Sequence, residues 1–297
     1  MTRRLPAIIF TALTFASFAN EPALKIVCST TQVADFARQI VGDRCEVVCI
    51  LGAGVNPHNY QPVPKDSRLV ESADMCIENG LNLEGKNWMA SLARDNGNKP
   101  LITATDGVQP LDLEYEGQLV KDPHAWFNPA NAAIYVNNIT RKLVELDPEG
   151  AESYKGRAEL YLSQLRVLDA WIIRQANRIP VEKRILVTSH DAFNYFAARY
   201  KFRVRSPVGW STGTEIGGGM TPDRRKLVVE SIRRFGVPAI FVETSVNPKM
   251  IRQIAEEAGV KIGGALYSDA MGEENTAGET YIGMMRENVL VIVSALE

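Results

Sequence analysis

Cysteine disappears from the chain after residue 76, histidine occurs only three times in 297 residues, and basic residues do not outnumber acidic ones. Each scarcity narrows the reading. With 33 Lys and Arg against 35 Asp and Glu, the net charge of −2 supplies no field of the kind that neutralises phosphates, so nucleic acid is not an expected partner. The four cysteines, Cys28, Cys45, Cys49 and Cys76, allow at most two disulfides. Cys45 and Cys49 stand within CEVVCI, whose β-branched residues predict a strand. Four residues of strand separate Cα atoms by about 13 Å, too far for a bridge between those two. Burial as small apolar side chains on strands is an equal reading of all four. Known enzyme signatures are missing as well. No H-E-x-x-H occurs, Gly52-Ala53-Gly54 lacks the rest of a dinucleotide fingerprint, and Gly217 to Gly219 lack the Lys-Ser/Thr of a phosphate loop. Asn138-Ile139-Thr140 matches a glycosylation sequon by coincidence, inside a predicted helix.

The one strongly apolar run is at the N-terminus. Arg3 and Arg4 precede the run from Leu5 to Phe18, and the small residues Ser17 and Ala19 flank Phe18. This is the pattern of a secretory signal peptide, residues 1–19, cleaved after Ala19 with no cysteine following to take a lipid. The run is shorter than the roughly 17–25 residues that a spanning helix needs. A periplasmic, oxidising destination is therefore expected.

A composition of 45% hydrophobic and 23% charged residues is that of a globular protein with room for two domains. From Leu24 short apolar runs alternate with amphipathic stretches: LKIVCST, QVADFARQIVG, CEVVCIL, DSRLVESADM, CIENGL and LITATDG. Such βα alternation predicts a mostly parallel sheet flanked by helices. It stops near Asn128. From Asn131 to Leu146, and again from Asp147 to Arg178, strand signals vanish and helical spacing takes over, with Leu160, Leu162, Leu165, Leu168, Ile172 and Ile173 among the apolar positions. The second helix opens with Asp147 as N-cap and Pro148 at the first position, and it runs to Pro180. Alternation then resumes with RILVTS, DAFNYFAARY, RVRSPVGW, PAIFVET and KIGGALYSDA, and a helix closes the chain. The fold class expected is α/β with two lobes, each a mostly parallel sheet flanked by helices, joined by one long rigid helix. The boundaries are 20–146, 147–179 and 180–297.

In an open α/β sheet, ligands bind beyond the carboxyl ends of the strands. All three histidines fall there. His58 lies between two prolines in GVNPHNYQPVP after the CEVVCIL strand, His124 lies in DPHAWFNP after LITATDG, and His190 ends RILVTS. Prolines stiffen two of the loops, and a rigid loop suits a preformed site. Two histidines belong to the first lobe and one to the second, so a cleft between the lobes would let them meet. Imidazole is the commonest metal ligand, and three of them call for a fourth donor or an open position. Asp269, after KIGGALYS, and Glu243, ending PAIFVET, are the two candidates. Four protein ligands would close the site. A metallohydrolase, with Asp191 as the imagined base, is a weaker alternative because a residue adjacent to His190 at a strand end usually points elsewhere. A surface adhesin with a structural metal leaves no motif to test.

The stretches GVNPHNYQPVPKD, ADMCIENGLNLE, DPHAWFNP, SHDAFNYFAARY, AIFVET, YSDAMG and TYIGMMRENV resemble the solute-binding proteins of zinc, manganese and iron ABC transporters, the TroA- and ZnuA-type group, over residues 24 to 297. The YtgA-type branch associated with iron is a point of comparison. The resemblance implies two lobes on one backbone helix and metal ligands at His58, His124, His190 and Asp269, with Glu243 a neighbour. It implies no catalysis: a monomeric receptor captures one divalent ion, Fe, Mn or Zn, and hands it to an ABC permease with its ATPase. Zinc-dedicated members carry a long His- and acid-rich loop before the second ligand, whereas Gly107 to Pro123 here holds four acids and no histidine. That departure points toward manganese or iron, although zinc generally binds such donors more tightly than either.

Overall fold

A computed structural model describes residues 22–115, 118–204 and 222–297. The expected signal peptide, the continuation of RVRSPVGW beyond Val204 and the glycines at 217–219 lie outside the described residues. Strands β1 (Lys25–Cys28), β2 (Glu46–Cys49), β3 (Met75–Glu78) and β4 (Leu101–Thr103) make a parallel sheet in the order β2-β1-β3-β4. The central strands β1 and β3 are buried along almost their whole length, as apolar runs with helices on both faces must be. Helix α1 (Thr31–Val41) buries Val33, Phe36, Ala37 and Ile40, a stripe at helical spacing. Helices α2 (Pro64–Glu71), α3 (Trp88–Asp95) and α4 (Pro129–Leu146) complete the first half. Pro129 occupies the first position of α4, and the Asn128 side chain caps it by accepting the Ala130 N–H at 3.0 Å.

Between β4 and α4 the chain forms an antiparallel hairpin, β5 (Asp112–Tyr115) with β6 (Gln118–Lys121). The expected βα alternation did not include it, because arms of four residues are too short for a period of two to register. Asn138, the residue of the apparent sequon, is buried in α4 and donates from its side chain to the carbonyls of Ala104 and Asp106. It is a packing residue.

The long helix α5 runs from Ala151 to Ala176, about 39 Å at 1.5 Å per residue. Its start differs from expectation. A 3₁₀ turn, Pro148–Gly150, precedes it, and the Asp147 carboxylate does not cap the helix but binds Arg44 at 2.5 and 2.7 Å and the Tyr154 hydroxyl at 2.5 Å. The Arg44 guanidinium holds that carboxyl down at about 2. The buried stripe of α5 is Tyr154, Ala158, Tyr161, Leu165, Leu168, Ile172 and Ala176, whereas Leu160 and Ile173 face solvent.

The second half contains β7 (Ile185–Leu186), β8 (Arg203–Val204), β9 (Ala239–Glu243) and β10 (Lys261–Leu266), paired in parallel as β7 with β8 and β9 with β10. The Phe241 N–H donates to the Val187 carbonyl, which sets the two pairs side by side. Helices α6 (Asn194–Tyr200), α7 (Pro222–Arg234), α8 (Lys249–Ala258) and α9 (Tyr281–Leu296) flank them. One apolar core runs from Ile26 and Phe36 through Tyr161 and Leu165 to Phe193, Tyr281 and Met284, crossing from one half to the other. Phe36 and Tyr281 meet with ring centroids 4.9 Å apart. Helix α5 is thus a wall shared by both halves. All four cysteines are free thiols.

Because Leu165 is 1% exposed within this shared core, Leu165→Ala is expected to cost about 2–4 kcal/mol. Urea unfolding followed by tryptophan fluorescence and far-UV circular dichroism should report the loss as one coincident shift, since the largest of the three apolar clusters spans both halves, while two smaller ones lie each within one half.

Candidate metal centre

The loop bearing His58 is fixed before any ion is considered. Asn56 closes a local turn by accepting the His58 N–H at 2.9 Å, and the Trp88 indole donates to the Pro57 carbonyl at 3.1 Å. Downstream, Asp66 receives the Tyr60 hydroxyl at 2.7 Å and the Val63 N–H at 2.8 Å, tying the loop to the start of α2. Beneath it lies Gly85, where a Cβ would come within 1.8 Å of the His58 carbonyl oxygen. Only glycine fits. The segment around it holds Leu81, Asn82, Lys86 and Asn87 at positive φ, a conformation costly enough to need support. Support comes from Glu84, buried, which accepts from Ser29 Oγ at 2.6 Å and from the N–H groups of Asn79 and Gly80 at 2.8 and 3.1 Å. Burial pushes the Glu84 carboxyl up against those donors. Asn79 in turn donates to the Pro123 carbonyl, so this turn also braces the second histidine loop.

His124 and His190 are gripped in the same way in opposite halves. The Asp122 Oδ1 accepts both the main-chain N–H of His124 at 2.9 Å and its ring Nδ1–H at 2.7 Å. Glu243 accepts the main-chain N–H of His190 at 2.8 Å through Oε1 and lies 2.5 Å from its Nδ1 through Oε2. Each grip leaves Nε2 pointing inward. Glu243, one of two candidate fourth donors in the sequence, therefore orients a ring. Asp122 was missed, although the Asp-Pro-His order that places it two residues before its ring was visible. Asp191 is buried next to His190, and its main-chain carbonyl receives the Asn194 side chain.

The three imidazoles and Asp269 converge. His190 Nε2 lies 3.3 Å from His124 Nε2 and 3.2 Å from Asp269 Oδ1. His124 Nε2 is 3.4 Å from Oδ1, and His58 Nε2 is 3.7 Å from Oδ2. One donor atom from each residue falls within 4.8 Å of the others. Four donors held tetrahedrally at about 2.0–2.2 Å from an ion stand roughly 3.3–3.6 Å apart, close to the separations of 3.2–3.4 Å among His124, His190 and Asp269 Oδ1, with His58 standing 3.7 Å from Oδ2. His58 Nε2 and Asp269 Oδ2 are buried with no hydrogen-bond partner. An orphaned buried group costs about 1–3 kcal/mol, and a cation between the donors would remove that cost.

Electrostatics point the same way. Burial pushes His58 below the usual histidine range. Burial also acts downward on His124, but the carboxylates of Asp122 and Asp269 outweigh it and raise the ring to about 9. Against burial, which would raise it, the surrounding imidazoles hold the Asp269 carboxyl well below the usual carboxylate range.

With this geometry in view, comparison with known proteins is direct. The sequence matches the family described as zinc-uptake complex component A, periplasmic, over residues 26–295. The manganese-binding lipoprotein MntA of Halalkalibacterium halodurans is 39% identical over 274 residues, covering 92% of this chain and 88% of that one. The iron-binding protein YfeA of Yersinia pestis is 35% identical over 298 residues, covering 95% and 93%. The structure of the periplasmic zinc-binding protein TroA from Treponema pallidum superposes with a TM-score of 0.84 at 31% identity, covering 92% of this chain and 99% of that one. The chain belongs to this family, whose shared architecture is the two-lobed α/β fold on one long helix.

Two outcomes are expected. Below pH 9 the metal-free His124 ring is charged, so an ion must expel its Nε2 proton. Affinity should rise about tenfold per pH unit between 6 and 8 if one proton is exchanged, with matching proton release in calorimetry across buffers of different ionisation enthalpy. Asp122→Asn, which loses the charge that fixes the ring, is expected to weaken metal affinity by about 10- to 100-fold in the same titration.

Proposed function

We propose that His58, His124, His190 and Asp269 bind one divalent transition metal ion, Fe, Mn or Zn, between lobes spanning 20–146 and 180–297 on either side of the helix segment 147–179. The observation that supports the reading is the convergence of three imidazoles and one carboxylate, one ligand atom of each within 4.8 Å of the others, with His58 Nε2 and Asp269 Oδ2 lacking a hydrogen-bond partner. Four protein donors leave no open position for an activated water. The family is one of substrate-binding receptors, so the ion is cargo and the hydrolase alternative falls away. Delivery is to an ABC permease and its ATPase, with the receptor acting as a monomer outside the cytoplasm. The names of the family and its relatives divide among zinc, manganese and iron, and the donor set of three imidazoles and a carboxylate suits all three. The segment Gly107 to Pro123, which contains the short hairpin Asp112–Lys121 and no histidine, supports manganese or iron as the ion carried.

No helix among the described residues is long and apolar enough to cross a membrane. The H. halodurans relative is named a lipoprotein. That name stands against the expected absence of a lipid, and export out of the cytoplasm is the reading common to both.

The test is metal content. Mature protein stripped with chelator and dialysed without oxygen against equal Zn²⁺, Mn²⁺ and Fe²⁺ is expected to retain close to one ion per chain by inductively coupled plasma mass spectrometry, and His124→Ala to retain none at stoichiometric level. Wild-type protein that emerges without metal would overturn the assignment.

A further inference from the structure

Three of the four donors are enclosed, His124 at 0% and His190 and Asp269 at 1% exposed, and His58 is partly buried with its Nε2 turned inward, so an ion at this site has little access to water while the donors hold their places. One of the segments must move. The histidines are secured within their own halves by Asp122, Glu243 and the Trp88 contact. Asp269 is secured differently. Its carboxylate faces the three imidazoles, and its place is set through its neighbours in the chain.

Those neighbours are held from the other half. In the first turn of α1, Thr31 Oγ1 accepts the Met271 N–H at 2.9 Å and lies 3.2 Å from Gln32 Oε1, to which its hydroxyl donates. Gln32 Nε2 donates to the Ser268 carbonyl at 3.0 Å. The hydrogen bonds form a circuit that leaves the Asp269 segment at Met271 and returns to it at Ser268, one residue before the carboxylate. Gln32 is 1% and Met271 3% exposed and Thr31 is half-buried, so these bonds are largely shielded from water. Among the described residues, the segment's own-side side-chain hydrogen bonds lie at its foot. Asn288 brackets Tyr267, accepting its N–H and donating to its carbonyl at 2.8 Å each, and the hydroxyls of Ser245 and Ser268 meet at 2.9 Å. Past Met271 the chain enters an exposed turn, residues 273–277, closed by the Gly272 N–H on the Gly278 carbonyl. The segment is thus hinged at one end and bordered at the other by an exposed turn.

We propose that Thr31 and Gln32 are a latch that holds the Asp269 segment closed over the ion, and that opening this latch sets the rate of metal release. The proposal rests on the metal-site reading above. Neither side chain touches the donors' inward-facing atoms, so both are positioning residues. They act on how long the carboxylate stays in place, not on how the ion is first met.

The experiment compares Thr31→Val, which keeps the shape and removes the hydroxyl, with Thr31→Ser, which restores it, and with Gln32→Leu. Mature full-length protein is loaded with Mn²⁺ or Zn²⁺, and release into excess EDTA is followed by stopped flow, alongside the association rate. Release from Thr31→Val and Gln32→Leu is expected to be roughly tenfold faster, at a few-fold to about tenfold per hydrogen bond lost. Association should stay within about twofold of wild type, and Thr31→Ser should release like wild type. The latch is refuted if Thr31→Val releases at the wild-type rate, or if Thr31→Ser is as fast as Thr31→Val. It is equally refuted if the melting temperature of the metal-free variant falls as far as that of the loaded one, which would mark a general packing defect. Failure of the site reading is separate. If wild-type protein takes up no stoichiometric ion, or His124→Ala keeps it, the metal site is wrong. If uptake behaves as expected and release is unchanged, only the latch is.

Discussion

Everything at the centre of this molecule answers to one buried carboxylate. Asp269 has 1% of its surface open to water, and an ionised carboxylate so placed must be compensated by charge or converging donors. Three imidazoles supply both. Without an ion, the compensation is a proton on the rings, most firmly on His124, where Asp122 adds its own charge. With an ion, the cation takes the proton's place. On the proposed site, metal and proton would compete for the same electrostatic vacancy.

That competition needs rings that do not turn. Asp122 takes both the main-chain and ring N–H groups of His124, and Glu243 takes the main-chain N–H of His190 while its other oxygen stands 2.5 Å from Nδ1, so a carboxylate behind each ring fixes its loop and aims its Nε2. The halves also brace each other near these grips. Asn194 reaches across to Asp122 at 3.0 Å, and Tyr195 donates to the Asp122 carbonyl at 2.9 Å. At the far wall Tyr281 donates its hydroxyl to the Trp126 carbonyl and its N–H to Asp35. With one apolar core running beneath, a wide separation of the lobes would break many contacts at once, which favours small movements of single segments.

Much of this was legible from residue order. Histidines that are rare, and that fall after strands in loops stiffened by proline, point to a site because strand ends are where an α/β sheet presents its loops. The long helix was visible in the loss of strand signals between Asp147 and Arg178. Three features were not. The hairpin at Asp112–Lys121 has arms too short to show a period. The choice between Asp269 and Glu243 could not be made from strand position alone, since both end neighbouring strands of one sheet; the family resemblance made it, and the geometry places Glu243 on the far nitrogen of His190. The left-handed turn at Leu81 to Asn87 is carried by Asn79, Gly85 and Glu84, whose roles depend on distant partners such as Ser29 and His58 that no local window contains.

The four unpaired thiols carry a further meaning for a protein whose cargo is a transition metal. Thiolate is a stronger zinc ligand than imidazole, and an accessible cysteine would compete for the ion or tether it in the wrong coordination. Cys28 and Cys76 are fully enclosed and Cys45 nearly so, and burial pushes Cys76 up to about 11 and Cys49 to about 12, which keeps their sulfurs protonated and chemically silent. Cys49 is the least enclosed of the four, yet its thiol is held protonated as well. The chain thus carries soft sulfur ligands and keeps them out of the donor set gathered around Asp269, and no disulfide ties its fold to an oxidant.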